Sequence, residues 1–166
     1  MVLFLCFCCA AFVGCNDGRP ADMPKLHPVT LTFILDDVPL ADAPVMLHSA
    51  NEYRRWAVGG RTDAGGLVSL KTQGRYPGAP AGKYKITVDK VVQSGPPVPP
   101  SSELPDDEEE CKKIFDEIDK KTATTRVVDE KFLDRKTTPL EYEVVTGKNE
   151  ERFDLGKSVN IVLVNN

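Results

Sequence analysis

Apolar residues alternate with polar ones in many short segments of this chain, and turn residues separate the segments. Val29, Leu31, Phe33 and Leu35 mark the first segment, and residues 83–88 repeat the pattern. A period of two places successive side chains on opposite faces of a strand, so one face can be buried. Short strands joined by frequent turns predict an all-β fold, an antiparallel Greek-key β-sandwich of about seven strands. The predicted strands cover residues 29–35, 44–48, 56–58, 67–72, 83–88, 140–144, 151–155 and 159–164, with a glycine-rich turn at 59–66.

Residues 91–138 interrupt the strand pattern. Five prolines between 96 and 105 form a stiff connector, and an acidic run follows at 106–110. Apolar residues then recur at i, i+3, i+4 and i+7, which predicts a short amphipathic helix near 106–121. The acidic run lacks the alternating ligands and central glycine of a calcium loop, so we interpret it as a solvated helix start. The segment is therefore an insertion within a single domain, residues 28–166.

The amino-terminal segment indicates export. Residues 1–14 carry no charge and are too few for a membrane-spanning helix, which needs about 20 apolar residues, but they fit a signal peptide. Phe12-Val13-Gly14-Cys15 resembles a bacterial lipobox, in which the cysteine thiol receives a diacylglyceryl group. We expect a lipid anchor on Cys15, a tether over 15–27, and a location in the bacterial cell envelope, periplasmic or surface-facing. The alternative is an ordinary cleaved signal with an incidental cysteine.

The cysteines do not form a disulfide framework under this interpretation. Three of the five lie in the signal and one is Cys15, which leaves Cys111 alone in the mature domain. We expect Cys111 to pack on the apolar side of the predicted helix; pairing between molecules and a reactive thiol are the alternatives. The net charge of -4 and the pI near 5.3 argue against nucleic acid as a partner.

Three motifs in order resemble a known domain family. They are residues 36–45 (DDVPLADAPV), 60–70 (GRTDAGGLVSL) and 78–88 (GAPAGKYKITV). This order resembles the carboxypeptidase regulatory-like, or transthyretin-like, domain, in the form found in small lipoproteins of planctomycetes. Those proteins also carry a piece similar to residues 132–140. The resemblance implies a β-sandwich over about residues 29–164.

The motif residues have structural explanations. Thr62 and Asp63 can bond to the turn backbone, and a glycine at 65 or 66 allows a positive φ. Gly82 opens a strand. Asp37 and Asp42 stand where the family has glycine, which affects turn geometry more than the fold. The predicted structural turn residues are Thr62, Asp63, Gly65, Gly66 and Gly82.

The sequence offers one candidate for a ligand-binding site and no candidate for an enzyme active site. Arg54, Arg55 and Trp56 suit the rim of a sugar- or peptide-binding surface, and packing of Trp56 is the alternative. The two histidines, His27 and His48, are far apart, and no cluster has the spacing of metal ligands. One branch of the transthyretin-like fold hydrolyses 5-hydroxyisourate and ends in Tyr-Arg-Gly-Ser, which differs from the last residues here.

The sequence therefore predicts a non-catalytic envelope lipoprotein that serves as a structural or protein-interaction module. We expect no cofactor, a membrane contact through the lipid, and an envelope protein or surface component as partner. A carbohydrate- or peptide-binding adhesion module is the first alternative. A transthyretin-like hydrolase is the second, and we expect it least.

Overall fold

The structure is a computed structural model that describes residues 18–49 and 55–163. Two sheets pack face to face, which confirms the predicted all-β sandwich. One sheet has the strand order β13-β10-β4-β5-β7-β8; the other has the order β14-β2-β3, with β6 also paired to β2. The strands are β1 (Leu26–His27), β2 (Val29–Leu35), β3 (Val38–Pro39), β4 (Pro44–Ser49), β5 (Val58–Arg61), β6 (Leu67–Ser69), β7 (Lys71–Thr72), β8 (Tyr76–Pro77), β9 (Ala79–Pro80), β10 (Gly82–Val88), β11 (Val91–Ser94), β12 (Ala123–Arg126), β13 (Glu141–Val144), β14 (Asn149–Asp154) and β15 (Ile161–Leu163).

The core lies between the two sheets and follows the predicted alternation. Leu31 and Phe33 of β2 are fully buried, and they belong to one cluster with Val45 of β4 and Ile86 of β10. Burying these apolar surfaces stabilises the fold by roughly 25 cal/mol per Å² of area removed from water. The intervening residues Thr30 and Thr32 of β2, and Lys85 and Thr87 of β10, are only half-buried.

One strand pair departs from the antiparallel prediction. β14 runs parallel to β2, with Asn149 beside Val29 and Asp154 beside Ile34. The chain leaves β13 at the edge of one sheet and crosses to the other before β14 begins. Asn149 fixes this crossing, because its side-chain amide accepts from the Val145 amide at 2.8 Å and donates to the Pro28 carbonyl at 3.2 Å.

The predicted glycine-rich turn is shorter than expected. Gly59 and Gly60 belong to β5, which pairs with β4 on one side and β7 on the other. A Cβ on Gly59 would lie 2.5 Å from the Met46 sulfur, and one on Gly60 would lie 2.6 Å from a Val68 methyl. These glycines are therefore needed for close packing within a strand rather than for a turn.

The predicted tether over residues 15–27 is also too long. Leu26 and His27 form β1, which pairs with β9, and both Met23 and His27 are buried. The chain is attached even earlier, because the Tyr76 hydroxyl donates to the Gly18 carbonyl at 2.6 Å. Only one residue in four is apolar over residues 16–27, so the sequence shows no period from which the packing of this segment on the sandwich could be predicted.

The predicted insertion contains the predicted helix and two strands that were not predicted. Helix α1 spans Glu108–Lys121, and the Asp107 side chain caps it by accepting from the Glu110 amide. β11 and β12 flank the helix, pair with each other, and form a three-stranded sheet with β15. We call residues 91–126 together with β15 the arm.

The two ends of the sandwich have different attachments. The end of β4 at Pro44 meets the root of the arm, since the Asp89 amide donates to the Pro44 carbonyl. The opposite end at Ser49 lies beside Trp56. β4 has six residues, so its ends are about 17 Å apart at 3.4 Å per residue. The arm end is defined by Asp42, Pro44, Arg61, Asp89 and Lys90, and the entry end by Gly18, His27, Ser49, Trp56 and Tyr76.

Candidate functional site

The motif residues of the turn between β5 and β6 hold the backbone in place. The Asp63 carboxylate accepts from the Gly65 amide at 2.8 Å and from the Leu67 amide at 3.0 Å. The buried Thr62 hydroxyl accepts from the Ala43 amide at 2.8 Å. Gly66 has a φ of +73°, a conformation that favours glycine. Gly82 is the first residue of β10.

Trp56 belongs to a small second core at the entry end. Only 7% of its surface is exposed, and it packs with Met23 and Tyr76. The Arg55 guanidinium lies 4.9 Å from the centre of the Trp56 ring and pairs with Asp22 at 3.0 Å. One ring face is thus covered by a cation, and this favours the packing alternative over a ligand-stacking rim.

Two predicted site residues, Cys15 and Arg54, lie outside the described residues. Their expected roles stay predictions. Arg55, the neighbour of Arg54, is exposed and held by its ion pair.

A small depression of about 130 Å³ lies beside Trp56 on the outer face of β4. Its wall includes His48, Ser49 and Trp56, and Arg135 from the loop before β13 reaches it as well. It combines apolar surface with a guanidinium and an imidazole, a combination that suits a small group with a negative charge. The space is that of a side chain rather than a chain segment.

His48 is a half-buried imidazole that tends to stay neutral. Burial lowers the pKa of His48 below its usual 6.5, the Arg135 guanidinium lowers it further, and the Asp134 carboxylate opposes both. Its Nε2 lies 2.8 Å from the Thr87 hydroxyl on the neighbouring strand. Hydroxyl and imidazole are the first two members of an acyl-transfer site, which also needs an orienting group and oxyanion donors.

The root of the arm is held by ion pairs. The Asp42 carboxylate contacts Arg61 at 2.9 Å and Lys90 at 3.3 Å, and Asp89 contacts Arg126 at 3.1 Å. Hydrogen bonds from Arg61 and then Lys90 lower the pKa of Asp42. A depression of about 320 Å³ lies among these residues. Because each of these cations is paired with a carboxylate, the cluster fastens the arm rather than offering a free charge to a ligand.

Helix α1 only half-buries the apolar side that the sequence predicted to pack, with Cys111, Ile114 and Ile118 half-buried and its charged residues exposed. None of its residues is buried; Cys111 keeps a free, half-buried thiol, and Phe115 is 37% exposed. Ten of its fourteen residues are charged. A stripe of only four apolar residues is too narrow to bring the helix onto the sandwich.

The arm sheet also exposes apolar residues. Val92, Thr125 and Val162 stand side by side across its three strands. Val92 is 45% exposed and Val162 is 61% exposed. The arm sheet and helix α1 therefore expose apolar side chains that do not belong to the main core.

No group of three or more metal-ligating side chains comes together within residues 18–49 and 55–163. Over the same ranges, the helix is neither long nor apolar enough to cross a bilayer.

The sequence did not identify Thr87 or Arg135 as neighbours of His48. Alternation along β10 places Thr87 on the outer face, but only the register of β10 with β4 brings it to the imidazole. Arg135 arrives from 87 positions away in an aperiodic loop. No local pattern carries such information.

Searches against protein-family models, curated proteins and solved structures find no match to this chain.

Proposed function

We propose that the protein is a lipid-anchored, non-catalytic envelope protein of the carboxypeptidase regulatory-like type, whose sandwich presents the arm to another protein. The observation that carries this proposal is the apolar surface of the arm: Val92 and Val162 are exposed on one face of its sheet, and Phe115 is exposed on its helix. Contiguous exposed apolar patches mark interaction surfaces, and the neighbouring positions of Val92 and Val162 in the arm sheet favour such a patch.

The position of the arm supports the proposal. The arm leaves the sandwich at the arm end, whereas the chain that leads to Cys15 joins at the entry end. A protein anchored at Cys15 would therefore carry the arm on the side away from the lipid. The ion pairs of Asp42 and Asp89 hold the root of the arm in place for a partner.

The chemistry of the described side chains supports a binding role over catalysis. The Thr87 hydroxyl beside His48 is a secondary alcohol on a strand. Arg135 lowers the pKa of His48, whereas Asp134 raises it. An activated nucleophile needs a base that a third group orients. Among the described residues, the His48 Nε2 lies 2.8 Å from the Thr87 hydroxyl, whereas Asp134 acts on the ring as a nearby charge.

Site-specific photo-crosslinking in cells tests the proposed partner surface. A photoreactive residue placed at Val92 or Val162 is expected to give one discrete adduct with an envelope protein. Val38, which is 57% exposed at β3, is the matched control and is expected to give none. Equal adducts from all three positions, or none from the arm, would contradict the proposal.

Anchoring is tested by Cys15→Ala. The unchanged chain is expected in the membrane fraction with acyl groups on its amino-terminal peptide, and the variant in the soluble fraction. Membrane retention that the substitution leaves unchanged would refute the lipid anchor.

A peptide-binding role is the second candidate, and the depression at Trp56 and Arg135 favours it. The site would take an acidic side chain or a terminal carboxylate, which suits its 130 Å³ better than a sugar ring would. Trp56 fluorescence should then respond to acidic peptides, and Arg135→Gln should abolish the response. A response that Arg135→Gln leaves intact would exclude this site.

A further inference from the structure

The point at which the chain leaves the described fold is fixed rather than loose. The Gly18 carbonyl accepts from the Tyr76 hydroxyl at 2.6 Å, and Tyr76 is buried against Met23 and Trp56. From Gly18 onwards, the chain follows the surface of the sandwich into β1.

The distance from this point to the proposed anchor is short. Three residue steps separate Cys15 from Gly18. A fully extended chain covers at most about 3.6 Å per residue, so the two Cα atoms lie within about 11 Å of each other. A lipid on Cys15 would thus bring the entry end to the bilayer surface, at a distance comparable to the Debye length of about 8 Å at physiological salt.

The surface around Gly18 is basic, although the whole chain is acidic. Arg19, Lys25, Arg55 and Arg75 are exposed there, with Asp22 as the acidic residue of this segment. These five residues, which we call the entry face, carry a net positive charge in a chain of net charge -4.

Two of these cations are held on the entry end by the small second core. The Arg55 guanidinium lies over the Trp56 ring, and the Arg75 guanidinium lies 5.3 Å from the centre of the Tyr76 ring. Arg19 directly follows Gly18, and Lys25 precedes Leu26, which packs on the same core. The charges are therefore fixed on one face and do not depend on a disordered basic tail.

We propose that the entry face binds the headgroups of anionic phospholipids and so fixes the orientation of the protein on the membrane. This inference rests on the lipid anchor proposed above. The anchor supplies a high effective concentration of lipid at the entry face, so individually weak contacts become sufficient. An acyl anchor combined with a basic patch is a stable arrangement at membranes.

Energy transfer from Trp56 measures the approach of this face to the lipid, because Trp56 is the sole tryptophan of the chain. The acylated full-length protein is reconstituted into vesicles of phosphatidylcholine, alone or with one-third phosphatidylglycerol, that carry a dansyl-labelled headgroup. Transfer is expected to be stronger in the anionic vesicles, and the difference is expected to vanish in high salt.

Charge variants identify the face. Arg19→Gln with Lys25→Gln is expected to remove about half of the increase caused by phosphatidylglycerol, since two of four cations are lost. Lys112→Gln with Lys113→Gln changes the net charge equally on helix α1 and is expected to leave the increase intact. Lys25→Gln alone gives a smaller loss and keeps the test decisive if the double variant unfolds.

The outcomes separate this inference from the proposed function. An amino-terminal peptide without acyl groups would overturn the lipid anchor itself. Acylated protein whose transfer is the same in both vesicles would overturn the entry face alone and leave the anchor standing. Salt-sensitive transfer without dependence on lipid charge would indicate a protein or a second copy on this face, and would also contradict the inference.

Discussion

Gly66 lies where the turn between β5 and β6 contacts β2 and the chain that follows β3. Its φ is +73°, and an added Cβ would collide with the Phe33 carbonyl oxygen and lie 3.0 Å from the Leu40 amide nitrogen. The Gly66 carbonyl also accepts from the Phe33 amide at 2.8 Å. The turn that resembles the family motif is thus tied to β2 and cannot move away to admit a side chain.

Gly66→Ala is expected to destabilise the fold much more than Gly74→Ala. Gly74 has a nearly equal φ of +68° but has no atom within 4 Å of the added Cβ. Gly74→Ala should therefore cost only the backbone strain, about 1 kcal/mol. Gly66→Ala adds the collision with β2 and should cost about 3 kcal/mol or more in the free energy of unfolding. Chemical denaturation of both variants checks this, and equal losses would show that the contact with Phe33 is not limiting.

His48 gives the protein a predicted dependence on pH. Its pKa is lowered below 6.5 in the folded state, chiefly by burial and next by Arg135, while Asp134 acts in the opposite direction. Between the lowered folded-state pKa and the unfolded pKa of about 6.5, the unfolded chain binds more protons than the folded one. The contribution of His48 to the free energy of unfolding is therefore fully present above about pH 6.5, and it decreases as the pH falls through this interval. Lys85 of β10 stands opposite His48 in the strand register, and its ammonium pairs with the Glu141 carboxylate at 2.6 Å.

An NMR titration of the His48 ring tests this assignment. The wild-type pKa is expected below 6.5, Arg135→Gln should raise it, and Asp134→Asn should lower it further. A pKa that neither substitution moves would show that Arg135 and Asp134 do not face the imidazole.

At the scale of elements, the arm is an addition to the sandwich that the core does not require. Its strands β11 and β12 stay close at their outer ends, where a Cβ on Gly95 would lie 2.9 Å from the Thr122 Cα. Helix α1 buries no residue, whereas Val128, just beyond β12, is fully buried in the main core. We therefore expect the sandwich to fold without α1 but not without the chain around Val128.

Replacing residues 96–121 with a short glycine-serine turn is expected to leave the sandwich folded. The free energy of unfolding should change by less than about 1 kcal/mol, because a shorter loop costs little entropy and no residue of 96–121 belongs to the main core. Val128→Ala is the contrasting variant and should cost about 2 kcal/mol as a cavity. Thermal unfolding of both proteins provides the measurement, and loss of folded protein on deleting 96–121 would contradict the arm as an independent extension.

Local pattern predicted the elements whose apolar residues recur at a regular period and missed those without such a period. Alternation identified β2 and β10, and the spacing of four apolar residues identified α1. β11 is exposed along its whole length, so no alternation marked it, and β1 has only two residues. The same limit applies to sites: Trp56 was found by type, whereas its partners Met23 and Tyr76 lie far away in sequence and follow from the fold alone.

At the scale of the whole molecule, the two ends of the sandwich carry different structural features. The entry end combines the fixed Gly18 with a basic face, and the arm end holds the arm by the ion pairs of Asp42 and Asp89. β4 spans the distance between these ends, about 17 Å. Lipid contact at one end and protein contact at the other would then be separated by the rigid core.

The native thiol of Cys111 can report this orientation in the acylated protein. Cys111 is the free cysteine of the described chain and lies on α1 in the arm. A fluorophore on Cys111 is expected to show little quenching by a quencher at the lipid headgroup, because the length of β4 and the arm separate it from the entry face. A fluorophore on Lys25→Cys, in a Cys111→Ser background, should be strongly quenched, since position 25 adjoins β1 at the entry end. Cys15→Ala removes the anchor and should abolish quenching at both positions. Equal quenching at both positions in the anchored protein would mean that the sandwich lies flat on the bilayer, and the arm would then not face away from the lipid.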